Sequence, residues 1–160
     1  MNILFVCTGN ISRSFLAEML LKHEVRQRGL KNLHVSSAGI LAYPGNPADP
    51  QMVEYLSEMG IAAEPHEATP LTGEHLEWAD MVIVMEKRQL DIIKAHWHDI
   101  GDRLELLGNY IAAGPTVDDI SDPYGESPYH YRLAQAQITQ AIGALIKRLL
   151  PDTKNVTAGP

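Results

Sequence analysis

The chain has 160 residues, one cysteine and a formal net charge of −7. That length suits one domain with a real core, and that charge disfavours nucleic acid and anionic membrane as partners, so a phosphorylated ligand must meet a local positive field. A single cysteine excludes a disulfide framework and suits a reducing compartment; no signal-like start or membrane-length apolar run is evident, and a cytoplasmic location is expected.

Residues 2–6 read as a strand covered on both faces, because Ile3-Leu4-Phe5-Val6 is uninterrupted and apolar. A polar loop follows, Cys7-Thr8-Gly9-Asn10-Ile11-Ser12-Arg13-Ser14. Residues 14–28 then read as a helix: Phe15 with Met19 and Leu16 with Leu20 pair at i,i+4, and Gly29 ends it. A more polar strand is predicted over 33–37 and a loop over 38–50. Asp49 caps the next helix with Pro50 at its first position and Gly60 after its end. Residues 61–72 are irregular, with a short strand expected around Ala68; Thr72 caps a short helix through Trp78.

Met81-Val82-Ile83-Val84-Met85 is the clearest central strand. A helix from Arg88 to His96 and an edge strand over 103–107 follow. Residues 108–128 lack periodicity and are rich in Gly, Pro and Asp, as functional loops often are. The last helix runs from Tyr129 to Leu149 with Ala134, Ile138, Ile142 and Leu145 on its stripe, and Tyr129 and Tyr131 are expected to be part-buried on its face. His96-Trp97-His98 reads as a surface helix end and not as a metal pair, since i and i+2 do not share a face. Strands alternating with helices predict an α/β domain over 1–150 with a four-stranded parallel sheet, and a disordered tail over 151–160. Ligands of such sheets bind at the carboxyl ends of the strands, where the Cys7–Ser14 loop lies.

A loop between a strand and a helix N-terminus gathers backbone N–H groups and partial positive charge, and so can hold an oxyanion. A free cysteine is most often a small buried hydrophobe. Here Cys7 also stands before a helix N-terminus with Arg13 nearby, and both features favour the nucleophilic thiolate. Arg13 opposes the helix dipole, which a bidentate oxyanion partner would explain. Gly9 and Asn10 tolerate left-handed backbone angles and can turn successive amides inward. The leaving oxygen in a phosphoenzyme mechanism needs a proton. Asp118, Asp119 and Asp122 are candidates; Asp122 stands somewhat ahead because Pro123 biases it to an extended backbone.

Together the loop, Ser37-Ala38-Gly39 with the downstream Asp49-Pro50, and Asp122-Pro123-Tyr124 resemble the low-molecular-weight protein tyrosine phosphatase family over about 1–150. The resemblance implies Cys7 as nucleophile, Arg13 as phosphoryl clamp and Asp122 as general acid and then general base. It implies that Asn10 holds the loop, that Ser14 hydrogen-bonds the thiolate, and that Thr8, Gly9, Ile11 and Ser12 complete the phosphate cradle. Tyr43 and Tyr124 would wall the cleft, and His66 would brace the loop from behind. No metal or cofactor is implied; the expected partner is a phosphorylated protein.

Three departures stand out. Many relatives carry a second cysteine where this chain has Ser12, proline follows the loop where this chain has Phe15, and the segment before Asp49 is slightly shorter than in eukaryotic relatives. A bacterial branch with a similar loop acts on phosphoarginine and has threonine where this chain has Ile11. Ile11 resembles the tyrosine-directed branch, although the remainder resembles the arginine branch. Thiol arsenate reduction and non-catalytic oxyanion binding rank lower: the first relays electrons through further cysteines, and the second would not need Cys7, Arg13 and Asp122 together.

Overall fold

The computed structural model describes residues 1–111 and 119–150. Four parallel strands form one sheet in the order β2-β1-β3-β4: β1 Asn2–Cys7, β2 His34–Gly39, β3 Met81–Val84 and β4 Leu104–Leu106. Five helices surround it: α1 Arg13–Gln27, α2 Pro50–Glu58, α3 Gly73–Trp78, α4 Lys87–His96 and α5 Pro128–Leu149.

The apolar run of β1 explains its central place. Ile3 and Phe5 join a core built with α1, α2 and α5, whereas Leu4 and Val6 point the other way, into a core with Leu76 of α3 and Ile93 of α4. Successive strand residues alternate faces, so one unbroken run fills both layers. The chain leaves β1 for β2 on one side and returns to β3 on the other. The carboxyl end of β1 is therefore the switch point where α/β ligands bind.

Several boundaries differ from expectation. The first strand continues to Cys7 and the second to Gly39, where Cys7 pairs with Gly39 in register. No strand forms around Ala68; that segment makes single bridges, Pro47 with Glu67 and Gly39 with Pro70. Helix α4 starts at Lys87, and Leu107–Tyr110 forms a short 3-10 turn inside the stretch expected to lack structure. Tyr129 is 61% exposed, because only one face of α5 meets the core; Tyr131 is part-buried as expected. His96 ends α4 with Nδ1 bonded to the Ile92 carbonyl oxygen. The expected tail over 151–160 and Asp118 lie outside the described residues.

Candidate active site

The loop after β1 turns because Asn10 adopts φ 57°, the left-handed region that asparagine tolerates. Its side chain then pins the turn. Asn10 Oδ1 accepts from the Thr69 amide at 2.9 Å, and Nδ2 donates to Ser14 Oγ at 2.9 Å and Ser37 Oγ at 2.8 Å. His66 Nε2 meets the Asn10 carbonyl oxygen at 2.6 Å, and its ring lies 4.8 Å from that of Phe15. Phe15 thus packs against the histidine behind the loop.

Proton bookkeeping gives this network a direction. Asn10 Nδ2 only donates, so both serine oxygens accept from it. Each serine then has its own proton to give: Ser37 donates to Glu18 Oε1 at 2.5 Å, and Ser14 stands 3.0 Å from Cys7 Sγ. The Asn10 amide also donates to Cys7 Sγ at 3.3 Å. Two donors converge on a buried sulfur at the amino end of α1, whose first turn carries no acidic residue.

Arg13 is 2% exposed. Its Nη1 donates to the Ile120 carbonyl oxygen at 2.8 Å and stands 3.2 Å from Glu86 Oε2; its Nη2 lies 3.7 Å from Asp122 Oδ2. Arg13 Nε and Ser12 Oγ are buried without a hydrogen-bond partner among the described residues. The guanidinium is thus anchored through Nη1; of the edge that Nε and Nη2 share, Nε has no hydrogen-bond partner and Nη2 has only the 3.7 Å ion pair with Asp122, so that edge is a fork turned to the cleft. Two phosphoryl oxygens match such a fork, and unpaired buried donors are costly unless a ligand meets them.

A cleft of about 250 Å³ opens over the loop. Cys7 to Arg13 form its floor, Leu41, Tyr43 and Asn46 one side, and Asp122 and Tyr124 another. Tyr43 and Tyr124 are exposed rim residues, and Ile11 is half-buried between floor and mouth. Asp122 Oδ1 accepts from the Tyr124 amide at 3.1 Å, which turns the Asp-Pro-Tyr segment over the cleft. Asp119 instead accepts from the Lys87 amide at 2.8 Å at the start of α4 and does not line the cleft.

Sequence reading missed three participants, Glu86, Gln89 and Glu18, as polar partners of the loop network, and it quoted Ser37 in a motif without giving it a role. Glu86 alone had a visible signal, an acidic residue just past the carboxyl end of the most apolar central strand.

A parallel α/β sheet with a Cys-x5-Arg loop at its switch point, an arginine fork turned to the cleft and an aspartate at the cleft mouth defines the class of cysteine-dependent phosphatases. The chain belongs to the low molecular weight phosphotyrosine protein phosphatase family, whose model matches residues 2–155. A protein-arginine-phosphatase of Bacillus subtilis (strain 168) is 36% identical over 154 residues, covering 96% of this chain and 100% of that protein. A probable low molecular weight protein-tyrosine-phosphatase, EpsP of Ralstonia solanacearum, is 35% identical over 147 residues, covering 92% of this chain and 94% of that one. The solved YwlE arginine phosphatase, a cysteine-to-serine mutant with its active-site serine phosphorylated, superposes with a TM-score of 0.85 at 36% identity, covering 96% and 99% of the two chains.

Proposed function

We propose that this protein dephosphorylates phosphotyrosine in proteins, with Cys7, Arg13 and Asp122 as its catalytic residues. The Cys7 thiolate attacks phosphorus; the S–P bond forms as the aryl P–O bond breaks, and protonated Asp122 gives its proton to the leaving phenolate oxygen. Water then attacks phosphorus, Asp122 takes its proton, the P–S bond breaks, and phosphate leaves with the thiolate restored. The Arg13 Nε–Nη2 fork and the amides of Thr8 to Ser14 bear the developing equatorial charge. The observation that carries this reading is the single cleft holding Cys7, Arg13 with its unpartnered Nε, and Asp122. Ile11 together with Tyr43 and Tyr124 gives that cleft apolar walls suited to an aryl ring.

Phosphoarginine is the second reading, favoured by similarity along the full length of the Bacillus protein. We place the phosphatase domain at residues 1–150. A bacterial, cytoplasmic setting is supported by the named bacterial relatives and the single reduced cysteine. The test is turnover of p-nitrophenyl phosphate, a phosphotyrosine peptide and phosphoarginine side by side. Cys7→Ser should abolish turnover, and Asp122→Ala should slow it by roughly 10²–10⁴-fold. Wild-type turnover in Cys7→Ser would overturn the mechanism, and a preference for phosphoarginine would overturn the substrate.

A further inference from the structure

Gln89, at the third position of α4, is 1% exposed. A carboxamide buried so fully is costly unless its donors and acceptor are all engaged. They are. Oε1 accepts from the Met85 amide at 2.9 Å and the Glu86 amide at 3.0 Å, which also fixes which end of the group is oxygen. Nε2 donates to Thr8 Oγ1 at 3.2 Å and to Glu86 Oε2 at 3.2 Å. The same Glu86 oxygen stands 3.2 Å from Arg13 Nη1. One carboxylate oxygen is therefore held between the Gln89 amide and the Arg13 guanidinium, and the same amide reaches the oxyanion loop at Thr8.

We infer that Gln89 is a positioning residue for oxyanion capture, holding Glu86 on Arg13 Nη1 so that the Nε–Nη2 edge stays turned to the cleft before ligand arrives. The inference rests on the phosphatase reading for the role of Arg13. Its physical logic is preorganisation. Arg13 has several rotatable bonds, and Nη1 contacts to Ile120 and Glu86 select one guanidinium orientation. Glu86 is itself part-exposed, and the Gln89 donor removes its freedom to swing to solvent. The acceptor half of the carboxamide caps α4, a purely structural service. The donor half acts on the site. The variants probe this from two sides: Gln89→Glu keeps the acceptor, loses the donors and sets a carboxylate against Glu86, whereas Gln89→Met removes every hydrogen bond without adding charge.

The experiment measures equilibrium binding of tungstate to the full chain by calorimetry, alongside thermal unfolding and p-nitrophenyl phosphate kinetics. Gln89→Glu and Gln89→Met should each weaken tungstate binding roughly tenfold, the size of a coupled contact. Gln89→Glu sets a second carboxylate against Glu86 at a buried position and should melt below the wild type, so affinity is measured at a temperature where thermal unfolding shows each variant folded. Since the effect passes through Glu86, Gln89→Met combined with Glu86→Gln should bind tungstate within about twofold of Glu86→Gln alone. Wild-type tungstate affinity in Gln89→Glu would overturn the inference, as would a Gln89→Met loss that multiplies in full onto Glu86→Gln. Tungstate binding is read without turnover. Wild-type turnover in Cys7→Ser would therefore sink the phosphatase mechanism and still leave the role of Gln89 decided by affinity.

Discussion

Ser12 and Ile11 are adjacent and make separable statements about the same loop. Ser12 Oγ is buried in the loop that lines the same cleft as Cys7, and Cys7 is the only cysteine of the chain. A sulfenic acid on Cys7 has no thiol of its own chain to condense with, so continued peroxide carries it to the irreversible sulfinic acid. We expect dithiothreitol to restore little activity after excess peroxide in the wild type, and most of it in Ser12→Cys. Full recovery in the wild type would remove the argument. Ile11 lines the cleft with an apolar branched side chain that packs well on an aryl ring but offers a guanidino group no polar partner. Ile11→Thr should raise phosphoarginine turnover relative to phosphotyrosine by roughly tenfold, the scale of discrimination by one pocket group. An unchanged ratio would show that specificity resides elsewhere in the cleft.

The elements hold the loop by close approach as much as by hydrogen bonds. Gly39 ends β2 beside Cys7, and a Cβ there would stand 2.7 Å from the Thr8 carbonyl oxygen and 2.9 Å from the Asn10 amide nitrogen. Both are backbone atoms of the oxyanion loop and cannot rotate away. Gly39→Ala should displace the loop, lowering kcat at least tenfold with a stability cost of about 1–3 kcal/mol; wild-type kinetics would show that the loop yields. Asp49 makes a comparable joint. Its amide donates to the Ile11 carbonyl oxygen at 2.8 Å, Oδ1 caps α2 at 3.0 Å, and Oδ2 accepts the Tyr131 hydroxyl of α5 at 2.7 Å. Tyr131→Phe leaves a buried carboxylate oxygen without that donor and should cost about 1–3 kcal/mol in urea unfolding. An unchanged unfolding free energy would mean that water replaces the hydroxyl. These joints explain what sequence could and could not reveal. The apolar runs of β1 and β3, the Pro50 start of α2 and the Cys-to-Arg loop are local patterns, and a local pattern is readable. The Asp49 cap was readable for the same reason, but its bond to Tyr131 spans 82 positions. The Glu86–Arg13 pair and the Gln89 amide are equally distant partners created by the sheet order, and no periodicity announces them. The edge strand expected over 103–107 forms as the short β4, but the 3-10 turn after it fell where composition resembles a loop.

At the scale of the whole molecule, the acidic chain concentrates positive charge where it is used. Arg13, with its unpartnered Nε, and the amino end of α1 face the cleft, whereas Lys22, Arg26 and Arg28 are paired with carboxylates. One such pairing reaches inward. Lys22 on α1 bonds Glu18 at 2.6 Å and Glu64 at 3.0 Å, and Arg26 bonds the other Glu64 oxygen at 3.0 Å. Through Glu18, Ser37, Asn10 and Ser14 this cluster is continuous with Cys7. Burial pulls the Lys22 ammonium down, but its bonds and charge pairing with Glu18 and Glu64 more than offset that, leaving it above its ordinary 10.5. The Lys22 hydrogen bond outweighs burial at Glu64 and, with Arg26, holds its carboxyl below its ordinary 4.5. A lowered carboxyl contributes stability above its unfolded value and loses it as pH falls through the folded one. A raised ammonium contributes below its unfolded value and loses it as pH rises through the folded one. The cluster should therefore stabilise the fold most between about pH 5 and pH 10, with losses on both sides. Lys22→Met removes the central cation, leaving Glu18 buried without its ion-pair partner. Its urea midpoint should fall most near neutrality and converge on the wild type at both extremes, where the wild-type ion pairs of Lys22 are themselves lost. A constant offset at every pH would show that Lys22 contributes packing alone and that the cluster has no share in the pH profile.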